Sequence, residues 1–363
     1  MPKVYQIYSR LFLNGTEMIK SGQKRRSDKR NLKVGILFNV PVGSSKGETI
    51  DYISEAEVED QVEAIQDALK KLGFVHQLFP LKDDVEHFVK ELNEHKSDVI
   101  VNLCEAFFGD SHKEMHVPSI LELLGIPYTG SSPLVLGLCN NKGFAKSVLE
   151  ANEIPTPEYQ VLSRPEDWKK GIDFPLIVKP SREHASTGIS RKKSFVKNDE
   201  ELKNQVEYIN KRYKQPALVE KYIDGREFNV AILGNEKPTI LPISEIVFGF
   251  SDEPQIVDYA AKWFSGSYED LNTTPTCTMK LEPQIKKSVE RIALKAYKAL
   301  GCRDYARVDI RLKDDRPFVL EVNPNPDISR EAGFARALKA AGIPFEEFVR
   351  KLVFFALKRR ESK

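Results

Sequence analysis

Cysteine is scarce in this sequence: four in 363 residues, Cys104, Cys139, Cys277 and Cys302, far apart and without paired spacing. Such a set supplies neither a disulfide framework nor a zinc site, and buried free thiols are the expected state. No apolar run approaches the ~20 residues that a membrane-spanning helix needs. The first residues also lack the apolar core of a secretory signal, so a cytoplasmic protein without membrane partners is expected. An imbalance of charge is missing too. With 55 Lys and Arg against 53 Asp and Glu the net charge is only +2, which argues against nucleic acid as the main partner. Residues 20–30 (KSGQKRRSDKR) are basic, but Ser21 and Gly22 break any helix there, and a solvated linker is expected. Residues 1–13 have the pattern of an added strand.

A chain of this length suits two or three domains. From Lys33, KVGILFNV reads as a buried strand running into the turn-forming segment PVGSSKG. Val58, Val62, Ile65, Leu69 and Leu72 then recur at helical steps on one face, and Gly73 stands where a helix C-terminus favours it. Further strands at 74–79 and 98–103, with a helix between, give the alternation of a parallel sheet. The pattern changes near Ser132. A short helix at 141–152, a proline-punctuated loop and the strand PLIVK follow. Beyond Ala217, ALVEKYI and FNVAILG read as one antiparallel pair, and ARVDIRL and RPFVLEVN as another around the polar turn KDDR. FEEFVRKLVFFALKRR closes the chain as an amphipathic helix with cations near its end. The division is thus a 1–31 extension, a 32–132 α/β unit, a 133–216 central unit and a 217–363 C-terminal unit.

The last strand pair carries the sharpest chemical signal. Strand side chains alternate between faces, so Arg307 and Asp309 oppose Ala306, Val308 and Ile310, while Glu321 and Asn323 oppose Phe318, Leu320 and Val322. If the polar faces coincide, two carboxylates and an amide converge beside an arginine. Carboxylates that close repel unless a cation sits between them. All-oxygen ligation by Asp, Glu and Asn suits Mg²⁺, which borrows its remaining ligands from water and phosphates. An exposed polar sheet face with ordinary ion pairs is the alternative. Lys179 ends an apolar strand before the small polar residues Ser181, Ser186, Thr187 and Gly188, where a lysine can hold phosphate as a point charge. Lys142 stands at a helix start.

Taken in order, LELLGIPYTGSSPLVLGLCNNKGFAKSVLEANEIPTP, FPLIVKPSREHASTGIS, LVEKYIDGREFNVAILG, VDYAAKWFSG, ARVDIRL and FVLEVNPNP resemble the ATP-grasp superfamily. Within it the chain is most similar to the D-alanine-D-alanine ligases, from about residue 98 to residue 357. The resemblance implies a three-domain ATP-grasp architecture, α/β with a Rossmann-like N-terminal parallel sheet and an α+β C-terminal part. It implies ATP and two Mg²⁺ ions, with Mn²⁺ able to substitute, and it allows a homodimer. By position it implies that Lys142, Lys179, Ser186 and Lys262 face the nucleotide phosphates. Adenine is implied at Glu220, Tyr222 and Ile223, and ribose at Glu227. Asp309, Glu321 and Asn323 match the metal ligands. Arg307 and Lys262 match the catalytic cations, Arg307 stabilising the tetrahedral oxyanion. The implied reaction joins the carboxylate and the amine of small amino-acid or peptide substrates through an acyl-phosphate, under a lid of residues 182–190 and the segment after Trp263.

The departures lie on the substrate side. D-alanine enzymes carry a glycine-rich start with a glutamate for the first amine, where this chain reads FNVPVGSSKGE. Their Gly-Ser-Ser is His184-Ala185-Ser186 here. Their Pro-Gly and carboxylate-gripping serine are replaced by Pro326-Asp327-Ile328-Ser329-Arg330-Glu331-Ala332-Gly333. D-alanine is therefore not expected on either side. Arg330 is the candidate carboxylate clamp and Asp327 or Glu331 the candidate amine acceptor. An ATP-binding sensor of the same fold without ligase turnover is the alternative, and the intact catalytic set argues against it.

Overall fold

The structure, a computed structural model, describes residues 32–40, 47–48, 58–252, 254–277 and 281–361. The basic run at 20–30, the strand expected within 1–13 and most of the PVGSSKG turn lie outside the described residues. Strand β1 (Lys33–Asn39) has a buried centre and is followed in the chain by helix α1 (Val58–Leu72), β2 (Val75–Leu81), α2 (Val85–Glu94) and β3 (Val99–Asn102). The three strands are parallel in the order β2-β1-β3. On α1 the predicted stripe is buried at Val58, Val62, Ile65 and Leu69, with Leu72 half-buried. Gly73 ends this helix at φ 71°. Its N–H reaches Lys70 O and that of Phe74 reaches Leu69 O, both at 3.0 Å; a residue without Cβ takes up this left-handed cap at least cost.

Helices α3 (His116–Leu123), α4 (Pro133–Asn140) and α5 (Lys142–Ala151) lead out of this sheet. The central sheet is built from β4 (Tyr159–Leu162), β5 (Leu176–Pro180), β6 (Phe195–Val196) and, beyond helix α6 (Asp199–Tyr213), β7 (Ala217–Lys221), in the order β4-β7-β5-β6. Leu202, Val206 and Ile209 of α6 pack onto Leu162, Leu176, Val178 and Val219.

The next strand, β8 (Arg226–Leu233), corrects one expectation. ALVEKYI and FNVAILG do not form a hairpin, because β7 pairs with β4 and β5 whereas β8 belongs to another sheet. Four of the five residues of β7 are buried, as an interior strand requires. Between the two strands Gly225 passes so close to a later strand that a Cβ there would lie 2.1 Å from Leu312 O. The chain crosses from sheet to sheet at this contact.

The third sheet joins β8 to β9 (Thr239–Ile240), β10 (Ser244–Phe248), β11 (Thr273–Thr276), β12 (Tyr305–Lys313) and β13 (Arg316–Asn323), in the order β11-β10-β8-β12-β13 with β9 on β8. All its ladders are antiparallel. Short helices α7 (Tyr259–Trp263) and α8 (Tyr268–Leu271) lie between β10 and β11 in the chain. Helix α9 (Pro283–Ala299) covers one face, its Val289, Ile292, Ala293 and Ala296 meeting Val230, Ile232, Val308, Ile310 and Val322. The turn between β12 and β13 holds Asp314 and Asp315 at φ 48° and 58°, the left-handed pair of a tight hairpin. After α10 (Gly333–Ala340), helix α11 (Phe345–Glu361) packs against α1 and β3. Its Arg359 pairs with Asp304 at 2.5 Å. Among the described residues no helix is long and apolar enough to cross a membrane, and all four cysteines are free, three of them buried.

Candidate active site

On the face of the third sheet opposite α9, the predicted polar residues meet rung by rung. Arg307 lies opposite Asn323 and Asp309 opposite Glu321 across the β12–β13 ladder. Arg307 grips Asp309 with two parallel bonds, Nε to Oδ1 at 2.7 Å and Nη2 to Oδ2 at 2.8 Å. Asn229 on β8, across the other ladder of β12, donates to the same carboxylate at 2.8 Å. The expected alternation of β13 fails at one residue. A bulge pairs Ile310 with Val319, so Leu320 is an extra residue that lines the cavity beside Glu321, while Val319 and Val322 fill the core. Phe318 and Leu320 were expected to oppose Glu321; the bulge overturns that parity for both, since Leu320 lines the cavity and Phe318 pairs with Arg311 on the polar face of β12.

Lysines converge on this pair of carboxylates from the other elements. Lys142 is the first residue of α5, whose N-cap is Asn141 and whose N–H is held by Ser181 O at the end of β5. Its Nζ donates to Glu183 O and stands 3.5 Å from Glu321 Oε2. Lys179 on β5 is buried and paired at 2.5 Å with Glu220 Oε1. Lys262 on α7 lines the same cavity. Burial works against the Glu321 carboxylate, but Lys142, Lys179, Lys262 and Arg307 hold it well below the usual carboxylate range. Burial, and then neighbouring Arg307, lowers the pKa of Lys262.

Two charged residues that sequence reasoning passed over join these groups. Lys146, one turn beyond Lys142, is 1% exposed and reaches Glu220 Oε2 at 2.8 Å and Thr156 Oγ1 at 2.6 Å. Glu220, expected to contribute through its backbone, also holds two lysines through its side chain. The i, i+4 spacing to Lys142 was the available signal, but a single lysine on an amphipathic helix reads as solvated. Arg311 is buried, pairs with Glu227 at 2.6 Å and donates to the carbonyls of Ile223, Gly225 and Gln255. It ties the segment expected to hold adenine to the acid expected to hold ribose. Tyr222, Ile223, Ile177, Ile246 and Ile256 give that end of the cavity its apolar lining.

The loop after β5 lies over the site. Ala185 and Ser186 have left-handed backbones (φ 57° and 61°). Ser186 Oγ donates to Val257 O at 3.0 Å and Trp263 Nε1 to Ala185 O at 3.0 Å, while Tyr259 N reaches Ile189 O at 3.1 Å. The loop is thus stitched to residues 257–263, and Ser265 and Asp270, beyond Trp263, line the cavity.

Of the substrate candidates, Asp327 and Glu331 line the cavity. Arg330 does not. Its side chain is 59% exposed and paired with Asp67 of α1, and the cation that this segment presents to the cavity is Arg336, on the first turn of α10. Position in a loop does not fix direction, and here Arg330 turns outward between Ser329 and Glu331, which line the cavity. The cavity, of about 740 Å³, also takes in His184 of the loop and Asp60, Gln61, Glu105, Glu114 and Asn325, whose place in it sequence reasoning did not find.

The donor set fits a magnesium nucleotide. Two carboxylates face each other across one rung with an amide beside them, opposite three lysines, and Mg²⁺ takes one or two carboxylates and completes its shell with water and phosphate. A family model, D-ala D-ala ligase C-terminus, matches residues 148–354. The chain is 35% identical over 264 residues to uncharacterized protein y4sG of Sinorhizobium fredii, covering 72% of this chain and 76% of that protein. It is 32% identical over 339 residues to the D-alanine-D-alanine ligase of Pelotomaculum thermopropionicum, covering 90% and 97%. Among solved structures, the D-alanine-D-alanine ligase from Bacillus anthracis complexed with ATP superposes with a TM-score of 0.70 at 26% identity, over 91% of this chain and 99% of that one.

Proposed function

Since the chain belongs to the D-alanine-D-alanine ligase family of ATP-grasp enzymes, and is thereby an ATP-dependent ligase forming C–N bonds, we propose that it joins a carboxylate to an amine through an acyl-phosphate, with substrates other than D-alanine. The observation that carries this reading is the pair of rungs, Arg307 with Asn323 and Asp309 with Glu321, in one cavity with Lys179 and Lys262 and with Lys142 3.5 Å from Glu321. Asp309, Glu321 and Asn323 would hold magnesium, two ions replaceable by Mn²⁺, which would neutralise charge on the transferring phosphoryl group. The three lysines face the same phosphates as point charges, and Glu220 orients Lys179. A carboxylate oxygen of the donor bonds to the γ-phosphorus of ATP and ADP leaves. The amine nitrogen then bonds to the activated carbonyl carbon, and inorganic phosphate leaves. Arg307, fixed by its two bonds to Asp309, meets the oxyanion of that step. Trp263 and Ser186 pin the loop over the cavity, which keeps water from the acyl-phosphate.

Departure from D-alanine is supported by the residues in the loop and wall. His184 stands where D-alanine enzymes have a small residue, with its Nε2 2.8 Å from Asn140 Nδ2 and 3.7 Å from Glu114 Oε2. Burial, and then Lys142, lowers its pKa to about 4 and leaves the ring neutral at pH 7. We keep the four-part division of the chain and its cytoplasmic location in this reading, with β7 moved into the central unit by its ladders. The test is ADP release across a panel of amino acids and dipeptides with Mg²⁺, with mass spectrometry of the products. D-alanine is expected to give little release even at high concentration; efficient D-alanyl-D-alanine synthesis would refute the altered substrate.

A further inference from the structure

A wall of acids also lines the cavity: Glu105, Glu114, Asp327 and Asp60. Glu105 follows β3 and Glu114 precedes α3, and Asn325 pins both segments to the catalytic hairpin. Its Nδ2 donates to Cys104 O at 3.0 Å and to Glu114 Oε1 at 3.2 Å, and its Oδ1 accepts from Tyr305 at 2.9 Å. Glu105 accepts from Gln61 at 2.9 Å, and its N–H donates to Asn39 Oδ1 at 3.0 Å. Asp327 is satisfied by the N–H and hydroxyl of Ser329. Asp60, from α1, lines the same wall.

Among the described residues neither Glu105 nor Glu114 is paired with a lysine or arginine. Glu114 is only 4% exposed yet faces the cavity. Its Oε2 has just the neutral His184 near it, at 3.7 Å, too far for a hydrogen bond. Burial, with Asp327 adding to it, pushes the Glu105 carboxyl up to about 7; burial and then Glu105 push Glu114 up to about 8. A buried acid with neutral partners costs stability that a glutamine in the same place would not. Among the described residues no lysine or arginine fills that place, and a cationic group on the substrate would.

An amino-acid donor with a neutral side chain brings one carboxylate, which Arg307 meets, and one ammonium. Asp327, which lines the cavity with its carboxylate held by Ser329, would take that ammonium. Glu105 and Glu114 remain. Resting on the ligase reading above, we propose that they form a subsite for a second cationic group, so that the substrate is an amino acid or peptide whose side chain carries an ammonium or guanidinium. The cation then satisfies Glu114 Oε2 and favours the ionised form of both acids.

The test uses isosteric pairs with and without the charge: lysine against norleucine, ornithine against norvaline, arginine against citrulline, in both D and L forms, each with ATP, Mg²⁺ and a panel of amines. The wild type is expected to favour the charged member by about 100-fold or more in kcat/KM. In the double variant Glu105→Gln, Glu114→Gln that preference should fall below about 10-fold, mainly through KM, because the contact holds ground and transition states alike. Calorimetric binding of ATP is the control for folding, and the single variants serve if the double one fails it. Equal use of charged and neutral members by the wild type overturns the subsite and leaves the ligase reading standing. A charge preference that survives in the variants overturns the assignment to these two acids. No ADP release with any pair overturns the ligase reading as well.

Discussion

Glu321 is held ionised against its own burial by four cations, and Asp309, its partner across the ladder, is held by Arg307 and Asn229. Replacing Glu321 by Gln keeps the shape and removes one metal-directed charge. The variant should still bind nucleotide while ADP release falls by several orders of magnitude; near-normal release would remove Glu321 from the metal site. Glu114 makes the opposite kind of statement. Its acid is raised from an ordinary value of 4.5 to about 8, so the stability it contributes is full below the unfolded value and is lost as pH rises toward 8. The free wild-type protein should therefore lose thermal stability between about pH 5 and pH 8. Glu114→Gln should lose less over that window and melt several degrees above wild type at pH 8, since the shift corresponds to a few kcal/mol. Equal slopes in a melting series would show that Glu114 is not strained. At this scale the sequence was legible wherever strand parity acts: Arg307, Asp309, Glu321 and Asn323 share a face as predicted. It was illegible for Glu105, Glu114, Lys146 and Arg311, whose partners come from remote segments. It misled at Arg330, because nothing local tells a loop residue which way to point.

Among the elements, the hairpin β12–β13 and helix α1 were readable because short-range periodicity and turn residues fix them. The partners of β7 and β8 were not. Two neighbouring apolar strands read as a hairpin unless remote strands claim them, as β4 and β5 claim β7 and as β10 and β12 claim β8, and the crossing between them passes Gly225 against Leu312 O. Gly225→Ala would place a Cβ 2.1 Å from that backbone oxygen, and neither strand can give way without breaking the ladder between β8 and β12. The variant is expected to lose several degrees in melting temperature and to bind ATP at least about 10-fold more weakly, because the displaced segment carries the carbonyls that Arg311 holds. Unchanged Tm and ATP affinity would show that the crossing is loose. The bulge at Leu320 belongs to the same class: alternation alone placed this residue in the core, whereas one extra residue in the ladder turns it toward the cavity.

For the whole molecule, residues from all three sheet regions border one cavity: the parallel unit supplies the acid wall, the central sheet Lys179 and the loop above it, and the third sheet the paired carboxylates. The α/β class and the reaction type were legible because six motifs occur in order. Substrate choice was not, since it depends on which distant side chains the fold brings to the acid wall. The central claim is that the donor carboxylate is activated by phosphate, and it has a direct test. With a donor labelled with ¹⁸O in its carboxylate, each turnover through an acyl-phosphate must leave one labelled oxygen in the inorganic phosphate, because the oxygen that bonded to phosphorus departs with it. The account predicts one ¹⁸O per phosphate released with product; unlabelled phosphate, or label recovered in AMP, would contradict it.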